Sequence, residues 1–223
     1  MSSRLLFPDP PTAADVVVFA QRAARLGDGA LRLKAQRGTL ALTVAALAPL
    51  TLLDKTPTIL GMRATRVDAE LECDLVVDAA VLAVDAAQPT AVTLPDTAVT
   101  APWAGISPPR AGWSETNELP AALLAQRAQW GIAVVAETVP DSPGEEIVHA
   151  LRAQVWGEAD DELGGLPRGV AFAAFALGFI GGEESASVHT AGPWTRVSLA
   201  RGHVLVRRTT RVGLTQVRET GRG

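Results

Sequence analysis

Hydrophobic positions along this chain change period several times, and each change marks an element. After Pro10-Pro11, Thr12 reads as a helix cap with Asp15 bonding back to it. Val16, Phe19, Ala20, Ala23 and Leu26 then recur at the spacing of one helical face, and Gly27-Asp28-Gly29 stops the helix. The period drops to two where Leu31, Leu33 and Ala35 alternate with Arg32, Lys34 and Gln36, which is the pattern of a half-buried strand. Arg37-Gly38 turns the chain, and Leu40, Leu42 and Val44 continue on the inner face. Runs rich in β-branched residues at 58–67 and 70–84 add two strands, with a pairing that brackets Asp68-Ala69. Residues 1–85 therefore read as one helix and an antiparallel meander of about four strands.

Periodicity is lost over residues 86–118, which hold Pro89, Pro95, Pro102, Pro108 and Pro109 together with Trp103 and Trp113. Two tryptophans argue against a solvated linker, so this is an ordered crossover with a short strand at 91–99. Residues 119–223 return to pattern. A helix covers 119–139, and a second is capped by Ser142 with Pro143 and Glu145 and runs to Trp156-Gly157. A third, apolar on every side, opens at Pro167 and ends near Ile180. Strands at 185–190, 194–200 and 203–209 close the chain, with turns at Ala191-Gly192-Pro193 and Arg201-Gly202.

Both halves thus share the order helix, glycine stop, hairpin with an Arg-Gly turn. The fold class is α+β: two helix-plus-antiparallel-sheet units joined by a Pro/Trp-rich crossover and central helices, free to pack as one domain. A diverged duplication and independent use of a common motif both fit that order.

Composition narrows the function classes. Net charge is −4 with a pI near 5.4, and the whole-chain balance offers no basic stripe, so no nucleic-acid partner is expected. The locally basic end (Arg201, Arg207, Arg208, Arg211, Arg218, Arg222) reads as an edge strand and a solvated tail. Cys73 is the single cysteine, and the acids Glu72 and Asp74 beside it work against a reactive thiolate. Residues 1–11 do not form a signal peptide, and no apolar run is long enough to span a bilayer. A soluble, cytoplasmic protein with no membrane partner is expected.

Motif chemistry is sparse. His149, His189 and His203 lack metal-ligand spacing, and Asp160-Asp161-Glu162 reads as a solvated loop rather than a cation site. No Gly-x-Ser-x-Gly, P-loop or dinucleotide fingerprint occurs. No catalytic residue, metal or cofactor is assigned. The informative charges are arginines. A turn at Arg201-Gly202 pairs Ala200 with His203 and sets Arg196 directly against Arg207, with Trp194 diagonal to Arg207. Such a pair needs an internal carboxylate, a bound anion or an acidic partner. Arg32 and Lys34 take equivalent places in the first hairpin. Trp103 and Trp113 flank Pro108-Pro109-Arg110. Buried, they pin the crossover; exposed, they form a lid or a contact. Arg196, Arg207, Trp194, Trp103, Trp113 and Arg110 are therefore the candidate ligand or partner surface.

Ala/Val/Arg-rich usage and the ending Trp194-Thr195-Arg196 with Arg201-Gly202-His203-Val204-Leu205-Val206-Arg207-Arg208 resemble uncharacterised proteins of high-GC Gram-positive (actinobacterial) bacteria. No activity attaches to them, so the resemblance implies none. The reading reached is a binding or interaction protein without catalysis, a homodimer or larger homo-oligomer. The alternative is a small-molecule-binding protein or enzyme holding an anionic ligand between the two sheets or under the Trp103–Trp113 segment.

Overall fold

The computed structural model describes residues 4–51, 53–138 and 144–207. The first half comprises β1 (Arg4–Leu6), α1 (Pro10–Ala23), β2 (Ala30–Gln36), β3 (Thr39–Leu47), β4 (Thr58–Arg66), β5 (Cys73–Asp78), β6 (Ala83–Val84) and β7 (Ala91–Thr93). The second comprises β8 (Ser114–Pro120), α2 (Ala121–Thr138), α3 (Glu145–Gly157), β9 (Ala159–Asp160), β10 (Leu166–Pro167), α4 (Gly169–Ala176), β11 (Ser185–Ala191), β12 (Trp194–Leu199) and β13 (Gly202–Arg207). Together they form the α+β fold with two similar halves that the periodicity predicts.

The halves do not keep separate sheets. Strands β5-β2-β3-β4-β13-β12-β11-β8 form one eight-stranded sheet, all of its pairs antiparallel, and the seam between the halves is β4 against β13, with Leu205 opposite Leu60. The two hairpins thus lie in one sheet, and the expected gap between a first-half and a second-half sheet does not exist among the described residues. Strand β5 pairs with β2 rather than β4, placing Lys34 opposite Asp74, so Asp68-Ala69 is not a hairpin turn.

The helices cover one face of this sheet. Leu31, Leu33, Leu40, Leu42, Ile59, Val197, Val204 and Val206 point into the main core beneath them. Short α4 lies against the central strands, with Gly169 and Gly61 admitting Ile59 and Leu177 where a Cβ would collide. Phe179, just past α4, stacks on Phe19 of α1 at 6.0 Å between centroids and ties the halves together. Helix α1 starts two residues before the expected cap: Asp9 accepts from Thr12 N at 2.7 Å, and Pro10 and Pro11 occupy the first turn, where a missing N–H costs nothing. The caps expected at Ser142 and Pro143, and the tail arginines from Arg208 onward, lie outside the described residues.

On the other face the crossover folds back over the sheet. Trp103, Ala101 and Ala104 pack with Ala30, Ala45, Leu60, Trp194 and Leu205 in a second, smaller core. Trp103 is 5% exposed and its indole N–H donates to Asp28 at 3.0 Å, so it pins the segment.

Candidate functional site

The chemistry-bearing side chains gather on the sheet face that the helices leave open. In the first half, Arg32 grips Asp74 through Nε at 2.7 Å and Nη2 at 2.9 Å, and Lys34 reaches the same carboxylate at 2.7 Å. Arg32 also donates to the Ala104 carbonyl and Ser107 Oγ, clamping the crossover. These hydrogen bonds, Arg32's above all, hold the Asp74 carboxyl down at about 2. The basic face of this hairpin is therefore neutralised internally.

The second half differs. Leu199 pairs with Gly202, so the turn residues are Ala200 and Arg201, and the register moves by two from the expected one. Arg196 lies opposite Leu205, and Arg207 lies opposite Trp194. The two arginines are diagonal neighbours rather than a direct pair, which removes the closest repulsion. Arg196 lays its guanidinium over the Trp113 ring, 4.6 Å from the centroid, while the Trp113 indole N–H donates to the Pro109 carbonyl at 3.0 Å. Trp113, not Trp194, is thus the aromatic partner of an arginine. Arg196 Nε is buried without a hydrogen-bond partner. Among the described residues, Arg110, Arg196 and Arg207 form no ion pair.

Two histidines flank Arg196. His189 stands opposite it on β11, its Nδ1 unpartnered and its Nε2 3.9 Å from Glu115. His203 shares its Nδ1 with Ser198 Oγ at 3.0 Å. Burial, with the nearby charges of Arg196 and His189, pushes His203 below the ordinary histidine range and keeps it neutral. The β11–β12 hairpin sets His189 opposite Arg196, and the two-residue slip at the next turn sets His203 opposite Ser198.

Other expectations change as well. Asp160 is 5% exposed, not solvated: it receives Arg168 Nε at 3.3 Å and the Glu162 amide at 3.0 Å, with Arg127 Nε 3.6 Å away. Arg127 also pairs with Glu162, and Arg168 pairs with Glu158 and stacks on Trp130 at 4.7 Å. The acidic run is an ion-pair hub joining α2 to the β9–β10 turn. Burial, more than its acidic neighbour Asp74, raises the Cys73 thiol. Among the described residues no cluster of three metal-ligating side chains occurs.

A groove of about 800 Å³ opens where the Gly27–Gly29 loop, the end of β3 and α3 meet. Its wall includes Trp103, His149 and Arg152. His149 Nε2 lies 3.6 Å from Asp54, and burial pushes the Arg152 pKa down. Sequence reading missed these two; their one signal was a three-residue spacing that sets both on one face of α3.

Residues 1–105 match DUF8010, a domain of unknown function, and residues 108–211 match DUF8185, another domain of unknown function. The two unknown-function domains take up nearly the whole chain, as the resemblance to uncharacterised proteins implies. No curated protein matches. Among solved structures the fold is similar to a DnaN sliding clamp, DNA polymerase III subunit beta, from Bartonella birtlesii, at 13% identity and a TM-score of 0.51, covering 92% of this chain and 65% of that one. A DNA polymerase III beta subunit from Eubacterium rectale follows at 10% identity and 0.49, covering 93% and 64%, and a sliding clamp from Caulobacter crescentus at 12% and 0.48, covering 99% and 69%. This chain spans about two thirds of the clamp subunit's length. The sliding-clamp fold overturns two expectations: an interaction or ligand-binding protein of no particular kind, and the exclusion of nucleic acid. The exclusion failed because it rested on net charge, and a whole-chain sum says nothing about where the cations stand.

Proposed function

We infer that this chain, two domains of unknown function joined edge to edge on a clamp-type fold, associates with DNA as a clamp-like module. The observation that carries the reading is the fold likeness to the Bartonella birtlesii sliding clamp across 92% of the chain. The warrant is analogy of fold: one continuous antiparallel sheet backed by helices, matched over that extent, from which the shared use is inferred. The cytoplasm is the compartment in which such a module meets DNA, and no helix among the described residues is long and apolar enough to cross a membrane.

Self-association belongs to the same reading. Strand β8 ends the sheet with one edge unpaired, and the exposed Val18, Trp130, Ile132 and Phe175 give the helix layer apolar surface.

The test is fluorescence anisotropy of the full chain with labelled duplex DNA, from 25 to 200 mM salt on the order of a Debye-length series, with native mass measured in parallel. Binding that weakens as salt rises is expected. Absence of duplex binding at the lowest salt overturns the reading.

A further inference from the structure

Two different chemistries fasten the crossover to the open sheet face. At its first end the Trp103 indole N–H donates to Asp28, and Arg32 donates to the Ala104 carbonyl and to Ser107 Oγ. Arg32 is itself gripped by Asp74, whose carboxyl titrates at about 2, so that clamp keeps its charges far below neutral pH. At the second end Arg196 of β12 lays its guanidinium over Trp113, and the Trp113 indole N–H closes the loop onto the Pro109 carbonyl. Ile106 and Trp113 are only partly buried against the small core beneath them.

Histidines surround the second fastening and not the first. His189 stands directly opposite Arg196 on β11, and His203 on β13 lies diagonal to it, opposite Ser198. The neighbouring elements set the local charge. Strand β8 brings Glu115 within 3.9 Å of His189 and carries Glu118 farther along. Strand β13 adds Arg207 opposite Trp194, β4 places uncharged Met62 opposite His203, and the crossover adds exposed Arg110. Glu115 offsets a proton on His189. Among the described residues no carboxylate lies within ion-pairing range of His203. A proton there faces Arg196 uncompensated, and like charges on neighbouring strands repel. The folded chain already resists that charge, through burial first and then Arg196 and His189. The buried Nε of Arg196 has no acceptor to hold it in place. The guanidinium, at the end of a long stem, is the member free to move away.

We propose that residues 106–113 form an acid-released strap: when His203 takes up a proton, Arg196 leaves Trp113 and this end of the crossover lifts from the sheet, while the Trp103 end stays fastened. The device needs no ligand and does not depend on association with DNA. Its sign follows from proton binding. The released form lets the ring charge more readily, so it gains population as pH falls through 6.5.

The experiment labels the full chain with 5-fluorotryptophan and follows the fluorine NMR signals from pH 7 to pH 5. Single Trp→Phe variants assign the signals, and the solvent isotope shift of each reports its exposure. The released-to-latched ratio read at Trp113 is expected to rise about tenfold. One ring that titrates at 6.5 once released supplies about twenty-five-fold at most over that range. The Trp103 signal stays at its buried position throughout. His203→Asn loses the pH response, Arg196→Gln shows exposed Trp113 at both pH values, and His149→Asn, outside the cluster, responds like the parent. Urea midpoints check that each variant folds. A Trp113 signal in the parent that keeps its buried position at pH 5 overturns the proposal, whatever the variants do. Exposure of Trp103 in step with Trp113 also overturns it, because the whole crossover is then leaving, as does a pH response that survives in folded His203→Asn.

Discussion

Gly202 lies so close to Phe179 that a Cβ on it would stand 2.3 Å from a ring carbon. The glycine opens β13 in ordinary extended backbone, so what it supplies is space for the ring that stacks on Phe19. Gly202→Ala must push Phe179 off its seat and should cost about 1–3 kcal/mol. Urea unfolding of this variant beside Gly182→Ala, where no atom crowds the position but φ is +83°, separates the two kinds of glycine. The Gly182 change should cost only about 1 kcal/mol.

Asp160 is the buried centre of the Arg127–Arg168 hub, and removing its charge leaves each guanidinium with one exposed carboxylate, Glu162 for Arg127 and Glu158 for Arg168. Asp160→Asn should destabilise the chain by roughly 3 kcal/mol, read as a lower urea midpoint. Replacing exposed Glu162 should cost well under half as much. Equal effects of the two changes would contradict the hub.

Asp74 carries a depressed folded pKa, about 2 against an unfolded 3.8, so its stabilising contribution is complete above pH 4 and is lost as pH falls from 3.8 toward 2. The carboxylate is 41% exposed, and solvent screening limits its worth to about 0.5–1 kcal/mol. Asp74→Asn should flatten the acid limb of the stability curve by that amount, measured by unfolding at pH 2.5 and pH 5.

His203 titrates below its unfolded value of 6.5, and the folded state therefore prefers the neutral ring. Stability from this group is intact above pH 6.5 and declines as pH drops through 6.5 toward the folded pKa, where the unfolded chain binds the extra proton. Proton NMR titration should place the His203 ring below the ordinary histidine range. Arg196→Ala should move it upward, because one of the charges opposing protonation is gone.

Local chemistry was the part of this fold that could be read in advance. The alternation from Leu31 to Gln36 and the Arg37-Gly38 turn are legible because each residue reports its own environment. Arg37 and Gly38 take the positive φ values, 53° and 73°, that a two-residue hairpin turn demands. The second Arg-Gly looks identical and is not: Gly202 obeys Phe179, a partner more than twenty residues away in sequence, and the turn shifts onto Ala200-Arg201. That one displacement moved Arg196 off Arg207, while the register of the preceding β11–β12 hairpin set His189 opposite Arg196. Strand β8 escaped notice for a related reason. Ser114 through Glu118 face solvent at the sheet edge, so no alternation marks them. The candidate arginines were visible as charges, but their lack of carboxylates and the bracing by Trp113 depend on the crossover's path over the sheet. The β4–β13 seam has no local signature at all, since it pairs segments from opposite ends of the chain.

That seam has a consequence for inheritance. Leu60 and Leu205 meet across a ladder to which each half contributes one strand, so separating the halves leaves two raw, largely apolar edges. Neither half can be deleted, exchanged or recombined onto another partner without a new strand to replace the missing one. Genomes that keep one should keep the other beside it, and substitutions along β4 should be answered by substitutions along β13.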